Sequence, residues 1–218
     1  MRSHLKCVMV CVVSLILAAC HPDSVVGDGK VIKATRDQPV YSRVQVNGNM
    51  VVNYKPAAKQ SIVVQADSNI VPIITTDVKD GVLIIQAKPG VVFSTANPIV
   101  VNLQGASIGG VSSSGANTIT MAGLSGKGFT VEFNGSGEGT FSGNVQQVRY
   151  QLVGASQVNG QGLKSVSASV ELVGASELSL SVSKQLAVKV SGVGKVTYYG
   201  DPEIQQQISG LGVVVSGK

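Results

Sequence analysis

The sequence predicts an all-β fold, a parallel β-helix or solenoid, with a strand-rich but less regular amino-terminal half. Three observations predict it. Glycine is abundant at 26 residues, tryptophan is absent, charged residues make up only 13%, and Val, Ile, Thr and Ser dominate the chain. That is strand chemistry, and 44% hydrophobic content with so little charge argues against disorder. A glycine turn also recurs in the carboxy-terminal half at Gly115, Gly135, Gly154, Gly174, Gly192 and Gly210, with spacings of 20, 19, 20, 18 and 18 residues. A period near 20 belongs to a solenoid, whose repeats bury their apolar faces only against one another. Thirdly, apolar and polar residues alternate on both sides of these glycines with the period of a strand.

The amino terminus comes first. Residues 1–6 are short and basic, and Cys7 to Leu17 is apolar apart from Ser14. This is the layout of a secretory signal, too short for a bilayer-spanning helix of about 20 residues. The segment ends Leu17-Ala18-Ala19-Cys20, which resembles the bacterial lipobox. That resemblance implies cleavage between Ala19 and Cys20 and acylation of the Cys20 thiol. Cys7 and Cys11 leave with residues 1–19, so the remaining chain has one cysteine and no internal disulfide. His21 rather than Asp follows Cys20; by resemblance to enterobacterial lipoproteins, this favours the outer membrane. Residues 20–30 read as a tether.

Residues 31–105 are rich in strands without a strict period. Val44 to Val46 leads through Asn47-Gly48-Asn49 to Met50 to Val52, the signal of a hairpin or tight turn. Ile62 to Val64 and Val82 to Ile85 are further strands, with a turn at Lys79-Asp80-Gly81, and Pro56, Pro89 and Pro98 are expected just outside strands. This half is expected to cap one end of the solenoid, because open sheet edges invite aggregation.

Residues 106–218 read as about six repeats of 18–20 residues. Two residues before each glycine stand Phe133, Leu152, Leu172, Val190 and Ile208, with Ser113 as the exception. Four after it stand Ile119, Val158, Leu178, Val196 and Val214, with Gly139 as the exception. Two after it the residue is small: Asn117, Gly137, Ser156, Ser176, Gly194 and Gly212. The odd offsets are polar. Glu132, Gln151, Glu171 and Lys189 form one row, and Glu138, Gln157, Glu177 and Lys195 form another. Stacked about 4.8 Å apart, both rows would run down one exterior face with no like charges on adjacent rungs, which relieves repulsion. They form a candidate polar surface ladder for a glycan or a protein.

From about Val31 to Lys218 the chain resembles the bacterial head GIN domain family. The matching features are Val46-Asn47-Gly48, Ala66 to Ile70, Asp80 to Ile85, Asn97 to Val101, and the S-G-x-G turns at 191–194 and 209–212. The resemblance implies a right-handed parallel β-helix and an adhesive role, with no established catalytic residues. At 153–156 and 173–176 the turn has become V-G-A-S.

Catalytic chemistry finds little support. After residue 19 the one histidine is His21, so no histidine triad or histidine metal cluster can be built. Glu132 and Glu171 would lie two rungs, roughly 9–10 Å, apart, near the spacing of an inverting glycosidase pair, but the ladder itself accounts for that spacing. Arg149 is the only arginine after Arg43 and reads as a lone solvated side chain. The formal charge of +5 includes Arg2 and Lys6 of the leader, and no basic run marks a nucleic-acid partner. No cofactor or metal is expected. The leading expectation is a non-enzymatic, lipid-anchored envelope protein used for adhesion or surface interaction. A carbohydrate-active enzyme on a pectin-lyase-like scaffold and a structural or assembly protein of the envelope are the alternatives.

Overall fold

The computed structural model describes residues 24–217; the leader, Ala19 and Cys20 lie outside the described residues. Within them every regular element from Val25–Val26 to Val213–Ser216 is a strand, and the chain winds through about five turns of a solenoid. The regular turns between Thr118 and Gly192 have three segments. In the turn that opens at Glu138, residues 138–140 lie on one face, 143–145 on a second and 147–154 on a third, and all three pair in parallel with the turn before and after. The sixth glycine corner, Gly210, belongs to a last turn of only two strands, Glu203–Gly210 and Val213–Ser216.

The predicted register holds. Gly115, Gly135, Gly154, Gly174, Gly192 and Gly210 stack on one another. Gly48 is a seventh member, paired with Gly115. At the six corners from Gly115 to Gly210 the next residue's amide donates to the glycine carbonyl one rung back, as from Ser136 to Gly115 at 3.2 Å and Ala155 to Gly135 at 3.0 Å. The glycine is needed because the backbone takes φ +132° at Gly135, and a Cβ there would stand 2.6 Å from the Gly115 carbonyl oxygen. The small residues two positions on point inward at the same corner. Ser156 Oγ donates to the Gly135 carbonyl at 3.1 Å and Ser176 Oγ to that of Gly154 at 3.3 Å. The V-G-A-S turns therefore keep the corner and add a hydroxyl bond inside it.

The interior of the coil holds the even-offset residues up to the last rung, where the absence of an outer neighbour among the described residues leaves Ile208 exposed and Val214 half-buried. Phe133, Leu152, Leu172 and Val190, and Ile119, Val158, Leu178 and Val196, are all buried, each contributing about 1.5–3 kcal/mol through removal from water. Gly139 breaks the apolar column for a packing reason: a Cβ there would lie 2.7 Å from the Phe141 ring and 3.0 Å from Phe133. Phe141 packs edge-on against Phe133 at 6.4 Å and tilted against Phe129 at 5.9 Å, an aromatic cluster that fills the space a side chain at 139 would take.

The amino-terminal half departs from a simple continuation. Asn47-Gly48-Asn49 is a solenoid corner and not a hairpin: Arg43–Gly48 and Val51–Pro56 do not pair with each other but run parallel to Gly110–Gly115 and to Thr118–Gly135, respectively. On their other side they pair with Val82–Ala87 and Val100–Gly105. The rung built from 43–56 thus lies between one built from 82–105 and one that begins at 110. Beyond the outermost rung the pairing becomes antiparallel. Ser61–Asp67 covers Val100–Gly105 and is itself covered by Val31–Arg36, while Ile74–Lys79 closes on Val82–Ala87 through the turn at Asp80 (φ 51°) and Gly81 (φ 74°). This is the cap expected at one end. At the other end, Glu203–Gly210 and Val213–Ser216 have no outer neighbour among the described residues.

Two smaller expectations shift. Pro56 is the last residue of its strand, opposite Gly105, rather than just outside it; at that position its missing N–H costs no further ladder bond. Residues 24–30, read as part of the tether, belong to the folded part. Val25–Val26 pairs with Phe93–Ser94, Asn69 Nδ2 donates to the Val26 carbonyl at 2.7 Å, and the Asp28 carboxylate accepts from the Ser68 hydroxyl and, at 3.0 Å, from the Lys30 amide.

Candidate binding surface

The two polar rows stack as the sequence predicts. Ser112, Glu132, Gln151, Glu171, Lys189 and Gln207 are in register on successive rungs, as are Thr118, Glu138, Gln157, Glu177, Lys195 and Val213. They do not share one face. The chain turns at each glycine between them, so the rows belong to different strands and flank the corner on either side.

The first row is a chain of charge contacts centred on Glu171. Lys189 Nζ lies 3.6 Å from Glu171 Oε1, Arg149 Nη2 lies 3.9 Å from Glu171 Oε2, and Gln151 Nε2 donates to the same oxygen at 3.5 Å. Arg149 is therefore not a lone side chain: it reaches diagonally from its own rung to the next. Arg43 Nη2 lies 3.5 Å from Glu132 Oε1, passing over a rung narrowed by Gly110 and Ser112. Both carboxylates considered as a catalytic pair are thus held by cations on an open surface. Among the described residues no group of three metal-binding side chains comes together.

Beside this row runs a groove of about 730 Å³ along the solenoid axis. Small side chains floor it, chiefly Gly128, Ser167, Ser169 and Ala187, and Gln147, Arg149, Gln185 and Gln205 stand along it. These residues sit five and seven positions before the corner glycines, where small residues are interleaved with Gln147, Arg149, Gln185 and Gln205 in no strict order. The signal was present there, but only the offsets nearest the glycine are regular enough to stand out. The second row borders a smaller groove of about 310 Å³ with Thr140, Asn159, Ser179 and Thr197 along it, where Ser179 Oγ donates to Asn159 Oδ1 at 3.2 Å. Both surfaces offer hydroxyls, amides and charged groups at a repeat of about 4.8 Å, the first with its charges paired, and both are suited to contacting an extended polar chain without enclosing it.

The comparisons agree with this architecture. A crystal structure described as a "putative adhesin" from Bacteroides fragilis superimposes with a TM-score of 0.71 at 17% identity, over 88% of this chain and 99% of that one. A "putative adhesin" from Parabacteroides merdae gives 0.55 at 17% identity, over 90% and 100%, and a "putative lipid binding protein" from Parabacteroides distasonis gives 0.53 at 16% identity, over 89% and 100%. At these identities the likeness establishes the fold. No curated protein matches the chain. The model of the family described as "putative auto-transporter adhesin, head GIN domain" matches residues 40–202; the chain belongs to this head GIN domain family.

Proposed function

We propose that this protein is a non-enzymatic binding protein of the bacterial cell envelope, held to the membrane by a lipid on Cys20 and used for adhesion through the groove beside Glu171. The carrying observation is the groove itself: an open channel with a floor of Gly128, Ser167, Ser169 and Ala187, edged by amides and by the Arg149–Glu171–Lys189 contacts. Such a surface presents planar hydrogen-bonding groups to a glycan or an extended peptide at the spacing of the rungs. The pairing of Glu132 with Arg43 and of Glu171 with Arg149 and Lys189 supports binding over hydrolysis, since these carboxylates are engaged by cations on an open surface rather than facing each other across a bound sugar. Family membership supports the adhesive role.

A glycan array with parallel detection of reducing ends tests the reading. Retention of a polysaccharide that is lost in Arg149→Ala, without release of reducing ends, is the expected result. Reducing-end release that disappears in a Glu132→Gln/Glu171→Gln double variant overturns it in favour of a carbohydrate-active enzyme. For the anchor, Cys20→Ser is expected to abolish lipid labelling and release the protein from membranes.

A further inference from the structure

The glycine corner carries an apolar ridge that the fold leaves bare. Immediately before and after the glycines, the outward residues are Val153 and Ala155, Val173 and Ala175, Ser191 and Val193, and Ser209 and Leu211 on four consecutive rungs. Val153 is 46% exposed, Val173 42%, Val193 58% and Leu211 82%. Nothing in the coil requires valine or leucine there, because the equivalent positions on the preceding rung are Asn134 and Ser136. The ridge is bordered on both sides by the polar rows, which carry Glu171 and Glu177 on one rung and Lys189 and Lys195 on the next.

We infer that this ridge is a self-association surface, on which a second copy of the chain packs antiparallel about a two-fold axis lying between the rungs of Val173 and Val193. Two features of the pattern select that partner. The first is charge. An antiparallel two-fold sets each row against the same row of the partner with its order reversed, so Glu171 meets the second copy's Lys189 and Glu177 meets its Lys195. A parallel two-fold sets one row against the other on the same rung, bringing Glu171 onto Glu177 and Lys189 onto Lys195; like charges at close range oppose that arrangement. The second is size. In the antiparallel register Val173 faces Ser191 of the second copy, Val193 faces Ala175, Val153 faces Ser209 and Leu211 faces Ala155. Every large side chain meets a small one, as it also would in the parallel arrangement, so size admits a second copy on this ridge while charge decides its direction.

The contact is modest. Four rungs at about 4.8 Å, with the flanking rows, give a footprint on the order of 400 Å² per partner, about half of a standard interface. The association is therefore weak, concentration dependent and weakened by salt, and is favoured where many copies are held close together.

Sedimentation equilibrium of the full chain tests it. The wild type is expected to show reversible dimers that dissociate on dilution. Leu211→Asp, an exposed position where folding is not at stake, is expected to be monomeric over the same range. Glu171→Lys/Glu177→Lys and Lys189→Glu/Lys195→Glu are each expected to be monomeric alone and to dimerise when mixed one to one, because the mixture restores unlike charges across the two-fold. Three results would overturn the inference: a wild type that stays monomeric at the highest soluble concentration, charge variants that associate as well as the wild type, or a monomeric chain whose ridge becomes protected only on phosphatidylcholine vesicles, which would assign the ridge to a lipid surface.

Discussion

Asn117 Nδ2 donates to Ser113 Oγ at 3.1 Å inside the first regular corner, joining the residue that breaks the apolar column to the inward side chain of the corner. Ser113 interrupts the apolar column and Asn117 is the largest of the small residues at its offset. Both are buried. Asn117 Oδ1 also accepts from the Met50 amide at 3.0 Å, and its Nδ2 donates to the Ser114 carbonyl at 3.0 Å. This is the corner where the regular coil meets the rung of 43–56, so a polar cluster ties the two unlike parts together. Asn117→Ala leaves the Met50 amide buried without a partner and is expected to cost about 2–3 kcal/mol. Urea denaturation measures it; a loss below about 0.5 kcal/mol would mean that the cluster does not tie the parts.

Gly135 and Gly126 separate backbone strain from steric conflict. Their φ angles nearly coincide, at +132° and +137°. A Cβ at 135 meets the Gly115 carbonyl, while one at 126 meets nothing within 4 Å. Both alanine substitutions are expected to destabilise by about 1–3 kcal/mol from strain, with Gly135→Ala losing more and broadening the unfolding transition. Equal losses would show that the corner stack tolerates an opening.

Tyr150 and Tyr54 are expected to respond in opposite directions to loss of the hydroxyl. Tyr150 is buried and its hydroxyl has no hydrogen-bond partner among the described residues, and burial pushes its phenol above the ordinary value. Tyr54 Oη donates to the Ala106 carbonyl at 2.8 Å. Tyr150→Phe removes an unpaired polar atom and is expected to raise stability by about 1 kcal/mol, whereas Tyr54→Phe is expected to lower it by about as much. Thermal melts of the two variants decide this.

The edge segment around Asp28 is expected to loosen in acid. The Ser68 hydroxyl and then the Lys30 amide hold its carboxyl below the ordinary value of 3.8. A depressed folded pKa gives a contribution that is present above the unfolded value and lost as pH falls through the folded one. Hydrogen exchange at the Val25 and Gly27 amides, which bond to the Val92 and Ser94 carbonyls, is expected to speed up below about pH 3.8 relative to core strands. Asp28→Asn is expected to remove the pH dependence.

What the sequence made legible was whatever repeats. Six glycines at 18–20-residue spacing located the corners, and their offsets sorted buried from exposed residues correctly for Leu152, Leu172, Val190, Val158 and Leu178. The rung of 43–56 was not legible, because its neighbours at 82–105 and 110–115 are distant in sequence and Asn-Gly reads locally as a hairpin or a tight turn, without deciding between them. Arg149 was misjudged for a related reason: its partner Glu171 is close only once two rungs stack. The groove floor is made of residues such as Ser167 and Ala187, whose significance is their small size next to larger neighbours, and the bare valines beside the corners carry no signal until burial is known. Cys20, the most specific reading of the sequence, lies outside the described residues.

The adhesive reading requires the ladder face to meet the exterior of the cell. Treating intact cells with a membrane-impermeant amine reagent and mapping the modified lysines measures this directly. Lys189 and Lys195, exposed on the two sides of the corner, are expected to be modified in intact cells to the same extent as after lysis. Modification of both only after the envelope is broken would contradict an adhesive role at the cell surface.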